Sequence, residues 1–131
     1  LRSAECAGAH GVIIPKRRSV GLTATVAKAS AGAVEYMKVA RVTNINNAIN
    51  ELKEKGVWVF GTAAEGSIPM YKADLTGPAA IVIGNEGDGM SPLVRKNCDV
   101  TVHIPMKGSI TSLNASAAAS ILLYEAVRQR L

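Results

Sequence analysis

The chain has 131 residues, 48% of them hydrophobic and 19% charged, so length and composition indicate one folded globular domain and exclude a disordered tail. The net charge of +5 favours a polyanionic partner such as RNA or DNA, a solvated basic surface without a partner being the alternative. Cys6 and Cys98 lack ligand or disulfide spacing and predict small buried thiols in a reducing cytosol, and no apolar run approaches the roughly 18 residues of a membrane helix.

Short apolar strands alternate with helical segments along the chain. The residues before Gly8 are typical of the second half of a helix that ends at this glycine, and a start at Leu1 without methionine predicts a natural start upstream. The predicted strands are 12–14, 36–42, 57–60, 79–83 and 100–104, and the predicted helices are 22–31, 44–55, 92–97 and 113–131. The segment 61–77, GTAAEGSIPMYKADLTG, is predicted to be a loop. This alternation predicts an α/β domain whose mostly parallel sheet is covered by helices on both faces.

Three loops follow predicted strands, at 61–66, 84–91 and 105–111, and open α/β sheets bind ligands outside the carboxyl ends of their strands. The middle loop, in IVIGNEGDGMSP, has glycines and acids but no lysine, so it matches neither a phosphate loop nor GxGxxG. Such a loop suits a neutral or cationic ligand that approaches the backbone, a tight glycine turn being the alternative. The polar residues of IPMKGSITSLNASAAAS can cap the following helix or orient a substrate hydroxyl.

These stretches resemble the SpoU (TrmH-like) family of RNA ribose 2′-O-methyltransferases, in the SPOUT superfamily. IVIGNEGDGMSP is similar to the second motif of that family and IPMKGSITSLNASAAASILLYEAV to the third. LRSAECAGAHGVIIPKRRS is similar to the end of the first motif, whose asparagine and glycine would precede Leu1. VIIPKRRS, GTAAEG and EAVRQR are similar to the branch that methylates a guanosine ribose in 23S ribosomal RNA.

The resemblance implies a fold in which the C-terminal segment threads through a loop to form a deep trefoil knot. It implies an enzyme that binds S-adenosylmethionine (SAM) in the knot loops, without a metal, and transfers the methyl group to a ribose 2′-OH of ribosomal RNA. It also implies a cytoplasmic homodimer with no membrane contact. Residues 1–131 would be the catalytic domain, truncated at its N-terminus and lacking the small RNA-binding domain of relatives, so that this chain alone can be inactive.

The resemblance also implies which residues form the site. The predicted catalytic residues are Arg2, Glu86, Ser112 and Asn114, the predicted SAM contacts are Thr62, Gly84, Ile104 and Leu113, and the predicted RNA contacts are Lys16, Arg17 and Arg18. Arg2 is expected to clamp a phosphate and stabilise the alkoxide, because a guanidinium with a pKa above ~12 is a poor base. Glu86 is expected to fix the geometry of the site, and Ser112 and Asn114 to orient the ribose or Arg2. The alternative to RNA contact for Lys16, Arg17 and Arg18 is a solvated basic turn after the first strand.

Other functions remain open at this point. A Rossmann-like nucleotide domain is disfavoured because no GxGxxG follows the first strand. A transfer RNA methyltransferase and a non-catalytic RNA-binding module are the remaining alternatives. Trp58 is predicted to lie in the core, and His10 and His103 are expected to have packing or surface roles. The final helix has apolar residues on more than one face, which predicts burial on two sides, as in a dimer.

Overall fold

The structure is a computed structural model, and it describes residues 4, 6–16, 38–64, 67–84, 89–108 and 113–131. The strands in these residues are β1 (Val12–Pro15), β2 (Val39–Val42), β3 (Trp58–Thr62), β4 (Ile68–Pro69), β5 (Ala79–Val82) and β6 (Val100–His103). The α-helices are α1 (Ile45–Glu54), α2 (Pro92–Asn97) and α3 (Ala115–Gln129), and a 3₁₀ helix spans Met70–Lys72. None of the helices described is long and apolar enough to cross a membrane.

The strands form two parallel groups. β1 pairs with β2, and the other strands form a sheet in the order β4-β6-β3-β5, in which every neighbouring pair is parallel. Phe60 of β3 lies opposite both Val100 of β6 and Ile81 of β5. This confirms the predicted mostly parallel α/β class. Because all the strands of the larger sheet run the same way, their carboxyl ends share one edge.

The main core lies between one face of this sheet and α3. The buried residues there are Phe60, Ala73, Leu75, Val102 and Leu122. Leu122, only 1% exposed, is the α3 residue at its centre. The helix α1 packs against β3 and also contacts α2. Asn97 of α2 donates a hydrogen bond to Asn46 of α1 at 2.7 Å. Helices therefore hold the sheet in place and leave its carboxyl edge to loops.

The helix boundaries agree closely with the local signals. Asn44 caps α1, its side chain accepting from the backbone of Asn46 and Asn47, and Gly56 follows the helix with a φ of 84°. Ser91 caps α2 and Pro92 occupies its first turn, as predicted. The predicted helix 22–31 and the first two residues of the strand predicted at 36–42 lie outside the described residues.

Three predictions are wrong. The segment 61–77, predicted as a loop, contains β4 and a 3₁₀ helix, because β4 is a two-residue strand that exists only through its pairing with β6. Trp58 is 57% exposed rather than buried. As the first residue of β3 it lies at the amino edge of the sheet, where it lines a cavity of about 460 Å³ together with Lys72 and Pro78 instead of packing in the core. Cys6 is exposed.

The other cysteine behaves as predicted. The thiol of Cys98 is partly buried and donates to the carbonyl of Val94 at 3.3 Å. Burial raises the pKa of Cys98, and the neighbouring Asp99 raises it further. Cys98 therefore stays a protonated packing group at neutral pH.

The end of α3 holds the segment that precedes β5. Gln129 accepts from the backbone of Leu75 at 2.7 Å and donates to the carbonyl of Ala73 at 2.9 Å. Arg130 donates to the carbonyls of Leu75 at 3.0 Å and Gly77 at 2.7 Å. The C-terminus of α3 is thereby fixed at the amino edge of the sheet, and a 15-residue helix, about 22 Å long, carries its N-terminus toward the carboxyl edge.

Glu125 supports this end of the helix with a charge that depends on pH. It is only 8% exposed and accepts two hydrogen bonds of 2.8 Å from Arg128. The hydrogen bond from Arg128 is the main cause that lowers the pKa of Glu125 from 4.5 to about 2, against the opposing effect of burial. Gln129 also donates to this carboxylate.

We expect a Glu125→Gln variant to be less stable than the wild type at neutral pH by roughly 2 kcal/mol, a value discounted for the solvent around Arg128. Because the folded pKa lies below the unfolded one, this stabilisation is complete above about pH 4.5 and disappears as the pH falls toward 2. Chemical denaturation of both proteins between pH 7 and 2 measures it, with the exposed Glu54→Gln as the control for loss of charge. A wild-type advantage that did not change with pH would contradict the assignment.

Candidate active site

The ends of three strands are tied together at the carboxyl edge of the sheet. The hydroxyl of Thr62, at the end of β3, donates to the carbonyl of Val82 in β5 at 3.1 Å. The next backbone amide, that of Ala63, donates to the carbonyl of Val102 in β6 at 3.0 Å. The loops after β3, β5 and β6 therefore start side by side, as the parallel topology requires.

Gly84 closes the loop after β5. A Cβ placed on this residue would lie 2.5 Å from the carbonyl carbon of Gly89 and 2.6 Å from the backbone nitrogen of Met90. Contacts this short are not tolerated, so only glycine lets the two ends of the loop meet. Gly89 itself has a φ of 70°, a left-handed conformation that favours glycine. Glu86, between these two ends, lies outside the described residues.

Met90 and Gly61 pack beneath this loop, and neither was predicted to belong to the site. A Cβ on Gly61 would lie 2.7 Å from both the Met90 Cε and the Cys98 Sγ, so the two sulfur side chains occupy the space that a larger residue in β3 would need. The only signal in the sequence was that Gly61 opens the stretch GTAAEG. Because Gly61 has no side chain, the side chain of Met90 can pack against β3 just after Gly89, at the end of the loop.

The third loop places Leu113 and Asn114 at the start of α3. The side-chain oxygen of Asn114 accepts from the backbone of Ala117 at 2.8 Å and so caps the helix. Leu113 is exposed just before it, and Ile104, directly after β6, is partly buried. Ser112 lies outside the described residues. The structure thus shows the capping role of Asn114, which uses its oxygen and not its amide nitrogen.

Gly84, Ile104 and Leu113 are three of the residues predicted to contact the cofactor. Among the hydrogen bonds that described loop residues form with one another, none involves the backbone of Gly84, Ile104 or Leu113. In the described part of the chain, no group of three or more His, Cys, Asp or Glu residues could hold a metal ion.

The basic residues are only partly described. Lys16 is exposed at the carboxyl end of β1, and its backbone amide donates to the carbonyl of Val42 at 2.9 Å. Arg2, Arg17 and Arg18 lie outside the described residues. Of the eleven predicted site residues, the structure therefore brings Thr62, Gly84 and Ile104 to one edge and places Leu113 and Asn114 at the helix start directed toward it.

Comparison with known proteins identifies similar sequences and structures. The family model described as "SpoU rRNA Methylase family" matches residues 1–124. YacO of Bacillus subtilis (strain 168), whose name assigns it provisionally to the TrmH family of tRNA/rRNA methyltransferases, is 53% identical over 130 residues, which are 99% of this chain and 52% of that protein. The 23S rRNA (guanosine-2′-O-)-methyltransferase RlmB of Ralstonia nicotianae is also 53% identical over 130 residues, with 99% and 52% coverage.

A solved structure has the same fold. The SpoU methyltransferase AviRb from Streptomyces viridochromogenes, in complex with the cofactor AdoMet, superposes with a TM-score of 0.90 at 36% identity. The match covers 98% of this chain and 53% of that one. The chain thus spans about half the length of the relatives it matches.

Proposed function

The chain belongs to the SpoU rRNA methylase family, and on this premise we propose that residues 1–131 form the catalytic domain of a SAM-dependent RNA methyltransferase that acts on a ribose 2′-OH. The observation that carries the proposal is the loop closed at Gly84, beside the strand ends that bear Thr62 and Ile104. Loops at this edge are where an open α/β sheet places its ligand.

The proposed substrate is a guanosine of 23S ribosomal RNA. It is supported by the relative from Ralstonia nicotianae, whose name states that activity. The relative from Bacillus subtilis carries a name that includes transfer RNA, which makes a transfer RNA ribose the second candidate. The net charge of +5 supports an RNA partner of either kind, and we place the reaction in the cytoplasm, where such RNA is found.

The residues at the carboxyl edge fit SAM. Backbone groups of Gly84, Ile104 and Leu113 would hold it, with Thr62 beside them, and the neighbouring acids of IVIGNEGDGMSP would tolerate a cation where a lysine would repel one. AviRb, with 36% identity, is solved with the same cofactor. SAM supplies a methyl group on a sulfonium, a leaving group that is activated before the enzyme acts.

The protein then has to position the ribose and to help remove one proton. Arg2 is proposed to clamp a phosphate and stabilise the developing alkoxide, with Glu86 fixing the geometry around it. Ser112 and the amide nitrogen of Asn114 orient the ribose or Arg2. The oxygen of Asn114 caps α3, so one side chain both starts the helix and presents a donor at the site. The basic run Lys16–Arg18 contacts RNA phosphates.

We also infer that the chain forms the trefoil knot of this superfamily. The strands β3 and β4 lie on opposite sides of β6, about 10 Å apart, and only five residues connect them. Five extended residues span at most ~17 Å, too short for a route around the sheet, so the connection crosses β6 directly. β6 follows later in the chain and lies between the two strands that this short connection joins, which supports a chain threaded beneath the connection. A chain that threads a loop is essentially absent outside the few knotted folds.

A homodimer is proposed from the surface of α3. This helix buries Leu122 against the sheet, yet Tyr124 is 48% exposed and Leu113, just before its start, is 41% exposed. Large apolar groups on the outer side of a helix are typical of an interface. A second copy of the chain would cover them, and sedimentation equilibrium would measure the association.

Calorimetric titration of the chain with SAM tests the function, with S-adenosylhomocysteine, ATP and NAD as comparators. We expect the first two ligands to bind and the others not to bind. Methyl transfer from labelled SAM to 23S ribosomal RNA and to transfer RNA then separates the two candidate substrates. Binding of NAD or ATP in preference to SAM would contradict the proposal. A chain that binds RNA but not SAM would favour the non-catalytic RNA-binding module.

A further inference from the structure

A serine just before β4 and a histidine at the end of β6 are in contact. The Oγ of Ser67 lies 2.9 Å from the Nδ1 of His103, the last residue of β6. The same Oγ lies 2.7 Å from the carbonyl oxygen of Ala63, which directly follows β3. Both contacts are partly buried. Three separate points of the chain therefore meet at one hydroxyl group.

The single proton of the Ser67 hydroxyl determines which ring nitrogen of His103 carries a proton. A serine hydroxyl has one proton, and the short contact to the Ala63 carbonyl uses it, since a carbonyl oxygen can only accept. The second contact of Ser67, 3.5 Å to the carbonyl of Ala64, is too long to compete. Ser67 must therefore accept from His103, so the neutral imidazole carries its proton on Nδ1 and leaves Nε2 as an acceptor.

This link strengthens a junction whose backbone pairing is short. β4 has two residues, and the one opposite His103 is Pro69, which has no N–H to donate. A few backbone contacts are all that β4 can add to the sheet. The two hydrogen bonds of Ser67, to the side chain of His103 and to the carbonyl of Ala63, add a second connection between β6 and the residues that join β3 to β4.

We propose that Ser67 and His103 are positioning residues that hold the two ends of the β3–β4 connection, at Ala63 and Ser67, against β6 and so set the spacing between the two sides of the SAM site. One side begins at Thr62, directly before Ala63, and the other at Ile104, directly after His103. The inference rests on the proposed function for its ligand. Neither residue would contact the reacting atoms, and their effect is on cofactor affinity.

Amide variants of His103 separate the role of each ring nitrogen. In His103→Asn the amide nitrogen takes approximately the place of Nδ1 and can still donate to Ser67, whereas in His103→Gln it takes approximately the place of Nε2 and cannot. We expect His103→Asn to bind SAM within about two-fold of the wild type, and His103→Gln and Ser67→Ala to bind about five-fold or more weakly, the effect of losing one partly buried hydrogen bond. His10→Asn, at the other, exposed histidine, is the matched control.

The tautomer can be measured without any ligand. The chain has two histidines, so His10→Asn leaves only the signals of His103 in a nitrogen-detected NMR spectrum. At about pH 8.5, where an ordinary imidazole is neutral, we expect the Nδ1–H form. An Nε2–H form, or equal SAM affinities for the Asn and Gln variants, would overturn the proposal.

The outcomes also distinguish this inference from the proposed function. If the wild type binds SAM and all the variants bind equally well, the positioning role fails and the proposed function stands. If the wild type binds no SAM, the function fails for this chain and the role in cofactor affinity fails with it. An Nδ1–H spectrum in the second case would still establish the hydrogen bond as a structural one.

Discussion

A Gly84→Ala variant is expected to lose at least about 100-fold in affinity for SAM. The added Cβ would lie 2.5 to 2.8 Å from backbone atoms of Gly89 and Met90, and backbone cannot rotate away as a flexible side chain can. The loop after β5 would have to open by about 1 Å to restore ordinary contacts. Because the cofactor is proposed to be held by backbone groups of this loop, that displacement acts directly on the binding geometry.

Two other glycines provide controls for this result. Gly77→Ala adds a methyl group with no atom within 4 Å and should leave both SAM affinity and melting temperature unchanged. Gly89→Ala also meets open space but has a φ of 70°, so it should cost about 1 kcal/mol of backbone strain and give an intermediate effect. Calorimetry and thermal unfolding measure all three. Affinity in Gly84→Ala equal to that of Gly77→Ala would show that the loop can open without loss of binding.

An Arg2→Ala variant is expected to lose at least about 100-fold in methyl transfer to RNA while keeping the wild-type affinity for SAM. Removing one group that stabilises a developing oxyanion typically costs 10²- to 10³-fold in rate, and the proposed contacts of Arg2 are with RNA, not with the cofactor. The assay is transfer of labelled methyl groups to ribosomal RNA, beside a calorimetric titration with SAM. Retained activity would remove Arg2 from the mechanism.

An Arg2→Lys variant tests how the arginine acts. A lysine keeps the positive charge but loses the planar fork that binds a phosphate through two parallel hydrogen bonds. Partial activity is therefore expected, between the wild type and Arg2→Ala. Lys55→Ala is the control for loss of a positive charge, because Lys55 is exposed after α1, at the amino edge of the sheet, and should leave the rate unchanged. Full activity in Arg2→Lys would mean that charge alone is sufficient.

The local signals of the sequence were sufficient for the helices. Asn44 caps α1 because its side chain bonds to amides two and three residues ahead, and Gly56 follows that helix because glycine tolerates a positive φ. Ser91 and Pro92 start α2 in the same way. Each of these interactions joins residues within one helical turn, so composition and spacing alone predict it. The predicted gathering of three strand ends at one edge is confirmed, because parallel strands share one carboxyl edge, and that this edge carries the site stays a prediction.

The sequence alone determined the α/β class, the capped helices and the family resemblance, all of which depend on short-range patterns. Only the tertiary structure decided that Ile68 and Pro69 form a strand, that Trp58 is exposed, and that Ser67 lies on His103. Gln129 similarly bonds to residues 54 and 56 positions away in the chain. Contacts at such separations depend on which strands become neighbours, and that order, β4-β6-β3-β5, is a property of the folded sheet which no local pattern encodes.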